Sequence, residues 1–126
     1  HGNGAMIADF AISGLTEMLG RRYRTLVFDR PGYGYSERPR DTSWTPEAQA
    51  LLFAQALKKL GIEHAILFGH SWGTLVALAM ALNHPEKVTG LVLASGFYFP
   101  ETRLDAAALS PPAIPVLGDV MRHTVA

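Results

Sequence analysis

Apolar positions along the chain fall into two patterns that take turns. Three short runs are rich in branched apolar residues: TLVFD at 25–29, HAILFG at 64–69 and GLVLAS at 90–95. None alternates apolar with polar, which predicts parallel strands buried on both faces. Helical periods lie before and between them. Met6, Ile7, Phe10, Leu15, Met18 and Leu19 recur at helical spacing and Gly20 supplies a stop, so one helix is predicted over 6–19. A second helix is clearly punctuated, with Thr45 as N-cap, Pro46 at its first position, Glu47 in its first turn and Gly61 at its end. Its predicted buried face carries Ala48, Leu51, Leu52, Ala56 and Leu60. The third period, from about Trp72 to Leu82, is apolar nearly all round, which predicts a buried helix ended by Asn83-His84-Pro85.

Strands that alternate with helices of this length imply crossover units, hence an α/β fold with a mostly parallel sheet and flanking helices. The rhythm stops after Phe99. Residues 100–126 contain Pro100, Pro111, Pro112 and Pro115 and read as an excursion with short helical pieces at most. The expected division is a core over 1–99 and a separate segment over 100–126. No internal repeat or low-complexity segment is present.

Composition narrows the function classes. A chain of 126 residues, 48% of them hydrophobic, makes one compact domain or part of one. Eleven basic and eleven acidic side chains cancel, so no overall charge points to nucleic acid or an anionic membrane. The basic cluster RRYR at 21–24 follows an amphipathic period, where cations suit a helix C-terminus. With no cysteine there is no disulfide framework, thiolate metal site or cysteine nucleophile. No apolar run reaches the ~18 residues that span a bilayer and no signal peptide is visible, so a cytoplasmic location is the expectation. The chain opens on His1, which leaves room for a segment upstream. Histidines and carboxylates lack ligand spacing such as H-E-x-x-H, and no metal is expected. No dinucleotide cofactor is expected either, because Ile7 and Glu37 stand where HGNG and GYG would need a third glycine.

The chemistry gathers at GHSWG, residues 69–73. With twelve glycines and six serines, G-x-S-x-G arises by chance in roughly one such chain in twenty, so the bare pattern is modest evidence. Its context is stronger: it follows one predicted strand and opens one predicted helix, the setting of a nucleophile elbow. A serine in such a strained turn needs neighbours two residues either side that lack Cβ atoms, and Gly69 and Gly73 meet that need. The turn sets Ser71 at the carboxyl end of the sheet and at a helix N-terminus, with the Trp72 N–H as one oxyanion donor. The alternative role for Ser71 is simple capping of the following helix. HGNG at 1–4 precedes a helix, and its Gly-rich loop can aim a second N–H at the same oxygen.

Taken in order, HGNG, DRPGYGYSERP at 29–39 and GHSWG resemble the α/β-hydrolase superfamily, in the branch of small-molecule esterases, epoxide hydrolases and haloalkane dehalogenases. The likeness runs from Gly2 to about Phe99. It implies Ser71 as nucleophile, the backbone N–H groups of Trp72 and Asn3 as oxyanion hole, and a buttressing role for Asp29 and Arg30. From their place in the chain, residues from Pro100 are expected to start a cap, and Tyr33, Tyr35, Phe97, Tyr98 and Phe99 either to line an apolar substrate pocket or to serve as ordinary packing. Epoxide hydrolases and dehalogenases attack with a carboxylate at the elbow, so Ser71 favours acyl transfer instead.

The resemblance also orders the triad as Ser, then Asp or Glu, then His. Glu101 or Asp105 and His123 are the candidates after Ser71. His84 falls at the wrong end of its helix, His70 is expected to point away, His64 begins its strand far from the elbow, and His1 belongs to the oxyanion loop. The favoured expectation is an acid and base beyond Ala126, with Glu101 or Asp105 and His123 as the alternative within the chain. In the family the strand leading into the HG loop sits between those leading into DRPG and GHSWG, and here it would end before His1. Without it, TLVFD and HAILF must pair directly or leave backbone groups unpaired. An internal fragment of a longer hydrolase, inactive in isolation, is the resulting expectation. The expected function is hydrolysis of a small, mostly apolar ester, lactone or related acyl compound. Rivals are a cofactor-free perhydrolase or carbon–carbon bond hydrolase with the same triad, and a non-catalytic ligand-binding relative. Oligomeric state is not legible.

Overall fold

The structure, a computed structural model, describes residues 1–99. The expected cap segment, with Glu101, Asp105 and His123, lies outside the described residues.

The best-punctuated helix forms as its signals dictate. α3, Pro46–Lys59, starts where Thr45 Oγ1 accepts a hydrogen bond from the Ala48 N–H at 3.2 Å, and Pro46 occupies the first turn, where no N–H is needed. Its end is closed by Gly61 at φ 68°, with the Ile62 N–H returning to the Leu57 carbonyl at 2.9 Å. Thr45→Ala is expected to lower stability by about 1 kcal/mol. Chemical denaturation reads this as a reduced midpoint at unchanged slope, and an unchanged midpoint would show the cap to be dispensable.

β1, Ala65–His70, and β2, Val88–Ala94, pair in parallel from Ala65↔Val88 to His70↔Ala94. The connection between them is α4, Gly73–Asn83, followed by a short 3-10 turn at Pro85–Lys87. This β1–α4–β2 crossover is the α/β unit that the strand–helix alternation predicts. α4 lies across both strands and α3 packs on α4. The core between them is formed by Ala50, Ala54, Leu57, Ala79 and Met80, with Phe53, Leu67 and Val88 closing on it.

Four expectations are corrected. The predicted helix over 6–19 is two helices, α1, Ile7–Ile12, and α2, Leu15–Gly20. Gly14 breaks them at φ 75°, a conformation that closes α1 and caps α2 and that glycine adopts at little cost. The buried face of α3 is also rotated: Gln49, Ala50, Ala54 and Leu57 are buried, while Leu51, Leu52 and Leu60 are exposed. The apolar periodicity admitted either stripe, and the small residues at 50 and 54 let α4 approach closely.

The third correction concerns the strands. β1 alternates, with Ile66 and Phe68 exposed on one face and Ala65 and Leu67 turned to the helices. Helices cover one face of this two-stranded sheet, so the apolar residues of the other face meet only partial cover, such as the edge-to-face contact of Phe10 with Phe68 at 5.9 Å. Finally, residues 25–29 are not a strand. Strand structure requires a ladder, and among the described residues this segment pairs with none, though Leu26, Val27 and Phe28 line a cavity of about 890 Å³ together with Ile66 and Phe68 of β1. TLVFD and HAILF do not pair directly.

Candidate active site

The turn between β1 and α4 holds the candidate nucleophile, Ser71. Ser71 has φ 51°, a left-handed conformation that costs a side-chain-bearing residue about 1–3 kcal/mol and persists only where packing enforces it. The enforcement is visible. The Ser71 N–H donates to the Ala94 carbonyl of β2 at 2.9 Å. Its own carbonyl accepts from the fully buried Thr74 hydroxyl at 2.6 Å and from the Thr74 N–H at 3.0 Å. The two glycines are sterically required: a methyl at Gly69 would stand 2.8 Å from the Gly73 carbonyl oxygen and from Thr74 Cα, and one at Gly73 would stand 2.7 Å from the His1 carbonyl oxygen. Among the described residues Ser71 Oγ makes no hydrogen bond.

The HGNG loop lies against this serine. A methyl on Gly2 would sit 2.9 Å from Ser71 Cβ, 3.3 Å from Oγ and 3.5 Å from His70 Nδ1, so Gly2 packs beside the serine side chain. Among the described residues neither the Asn3 N–H nor the Trp72 N–H donates a hydrogen bond. Both amides are thus undonated, as is the hydroxyl, and the candidate oxyanion donors remain Asn3 and Trp72.

A buried arginine holds the loop in place. Arg30, 4% exposed, donates from Nε to the His1 carbonyl at 3.0 Å and from Nη2 to the Gly2 carbonyl at 3.0 Å and to Asn3 Oδ1 at 2.9 Å. Its backbone N–H donates to His1 Nε2 at 2.8 Å, which places the histidine proton on Nδ1, bonded to the Gly2 carbonyl. The guanidinium also lies 4.5 Å from the Tyr33 ring centre and 4.3 Å from that of Trp72. Burial pulls the Arg30 pKa below its usual value, opposed by Tyr33, and the group stays cationic at neutral pH.

Asp29 completes the buttress. Its Oδ1 accepts from the Ile7 N–H at 2.9 Å and its Oδ2 from the Tyr35 N–H at 3.3 Å, joining α1 to the 30–36 loop. Both residues that the resemblance assigns to buttressing are thus engaged in holding loops. What the sequence did not reveal is that Arg30 spans the oxyanion loop and Trp72 together, and that Thr74 fixes the serine carbonyl. The only advance signal was an arginine inside an otherwise tight, Gly-Pro-rich turn.

The aromatic candidates are dispersed. Tyr33 donates its hydroxyl to Asn3 Oδ1 at 3.0 Å and meets the His1 ring edge-on at 5.0 Å. Tyr35 is 97% exposed, Tyr98 is exposed and Phe97 is half-buried. None of the four lines the 890 Å³ cavity. His84 caps the far end of α4, with its N–H on the Met80 carbonyl. Among the described residues no three histidine or carboxylate side chains gather as a metal site, and no helix is long and apolar enough to cross a membrane.

Comparison with known proteins decides the family. The model of the alpha/beta hydrolase fold matches residues 1–125. The chain belongs to the α/β-hydrolase family. A 2-hydroxymuconate semialdehyde hydrolase of Pseudomonas sp. (strain CF600) is 39% identical over 110 residues, covering 84% of this chain and 39% of that protein. Among solved structures, an N-acyl homoserine lactonase, AidH, complexed with N-butanoyl homoserine, is similar with TM-score 0.76 and 27% identity, over 89% of this chain and 44% of the other. A meta-cleavage product hydrolase, CumD, is similar with TM-score 0.70 and 27% identity, over 76% of this chain and 36% of the other. The α/β-hydrolase chain described here thus spans less than half the length of these relatives.

Proposed function

We propose that this α/β-hydrolase chain carries the nucleophile and oxyanion hole of a serine hydrolase acting on small, mostly apolar acyl compounds, esters and lactones among them. The observation that carries the reading is the strained Ser71, its hydroxyl unengaged among the described residues, beside the undonated N–H groups of Asn3 and Trp72. Ser71 Oγ attacks the substrate carbonyl carbon while its proton passes to a histidine base. The carbonyl electron pair moves onto oxygen, where the two amides stabilise the charge. Collapse expels the leaving group as an alcohol after proton return from the base, and water then opens the acyl-enzyme by the same steps. The α4 N-terminus adds its dipole to the same charge.

The similarity to 2-hydroxymuconate semialdehyde hydrolase and to a meta-cleavage product hydrolase favours, as a second reading, carbon–carbon bond hydrolysis by the same serine. Comparing kcat/KM for p-nitrophenyl butyrate, an N-acyl homoserine lactone and 2-hydroxymuconate semialdehyde, on protein from the complete reading frame, separates them. Ester or lactone turnover is the expected leading activity. A preference of about 100-fold or more for the semialdehyde would move the assignment to the second reading. A folded protein that turns over none of the three would count against both readings.

A further inference from the structure

Arg30 is a cation buried beside the candidate oxyanion hole, and among the described residues no carboxylate lies within ion-pair distance of it. Burying an unpaired charge is expensive, and neutral donors would tie carbonyls at lower cost. The placement of the charge is therefore informative. Its Nη2 grips the Gly2 carbonyl, and that carbonyl belongs to the same peptide unit as the Asn3 N–H. In a trans peptide the N–H leaves on the side opposite the carbonyl, so a donor fixed on the oxygen fixes the direction of the N–H. A cationic donor on the oxygen also draws electron density from the amide and makes its N–H a stronger donor. The second bond from Nη2, to Asn3 Oδ1, and the stacking on Trp72 bring the residues of both oxyanion donors against the one guanidinium.

We propose that Arg30 is a positioning residue for catalysis, which aims and polarises the Asn3 N–H through the Gly2 carbonyl. The inference rests on the serine-hydrolase reading above and adds to it a residue that touches no substrate. A stabilised transition state without tighter substrate binding is its signature.

The test uses protein from the complete reading frame, with p-nitrophenyl butyrate as probe and Arg30→Met and Arg30→Lys as variants. Arg30→Met is expected to lower kcat by about 10- to 100-fold with KM within about threefold of the parent, less than the loss of a whole oxyanion donor. Arg30→Lys is expected to recover part of the loss, because a point charge reaches the Gly2 carbonyl without the planar fork. Independently of turnover, the Asn3 amide proton is expected to move upfield in Arg30→Met and less so in Arg30→Lys, while amides remote from the loop hold their shifts. If Arg30→Met does not fold, Arg30→Lys with the same two readouts carries the test. A parental kcat in the folded variant, or an Asn3 amide shift that ignores the substitution, would overturn the proposal. Undiminished turnover by Ser71→Ala would instead defeat the nucleophile reading, so the two failures are distinguishable.

Discussion

Ser71→Ala is expected to reduce kcat by about 10⁴- to 10⁶-fold while leaving the fold intact. The magnitude follows from the role: with the nucleophile gone, the remaining N–H groups of Asn3 and Trp72 can polarise a carbonyl but nothing forms the acyl-enzyme. The fold survives because Ser71 Oγ makes no hydrogen bond among the described residues, and what holds the turn is backbone and Thr74. Alanine inherits the left-handed strain, so no gain in stability is expected. Steady-state kinetics and a thermal melt on the same preparation check both halves. A variant that keeps more than about a tenth of the parental kcat would show that another group performs the attack.

Gly73→Ala carries the second large effect, and it acts through geometry. The added methyl meets the His1 backbone, with the carbonyl oxygen at 2.7 Å, the nitrogen at 3.0 Å and the carbonyl carbon at 3.2 Å. These are backbone atoms, the carbonyl oxygen of which Arg30 Nε holds at 3.0 Å, so no flexible side chain can swing away. Either the HGNG loop or the elbow must shift. A displacement of about 1 Å at a catalytic constellation costs on the order of 100-fold in rate, and overpacking costs about 1–3 kcal/mol of stability. The expected result is a loss in kcat/KM of about 100-fold with a lowered melting temperature. A folded Gly73→Ala protein with parental kinetics would show that the loop and the elbow are not in working contact.

Local signals were legible in the sequence and distant ones were not. Thr45-Pro46 and Gly61 mark α3 because caps depend on a few neighbouring residues. GHSWG was readable in part for the same reason, since the demand for glycine at 69 arises within the turn, whereas that at 73 comes from the distant His1 backbone. The rotation of α3 was not readable: Leu51 and Ala54 are both apolar, and only the packing of α4 decides which is buried. The break at Gly14 was hidden by an apolar period that continues across it. TLVFD has the composition of a strand, but ladders are made between segments, and none forms on it among the described residues. The role of Arg30 depends on three separate stretches meeting, His1 to Asn3, Arg30 to Tyr33 and Trp72, which no single stretch announces.

The central claim is that Ser71 is an activated nucleophile, and covalent labelling reads it most directly. Protein from the complete reading frame is treated with a fluorophosphonate, digested and mapped by mass spectrometry. The expected result is one stoichiometric adduct, on the peptide containing Ser71, that competes with an acyl substrate and disappears in Ser71→Ala. Labelling of another residue at the same rate in Ser71→Ala, or a folded protein that turns over substrate yet leaves Ser71 unmodified, would contradict the claim.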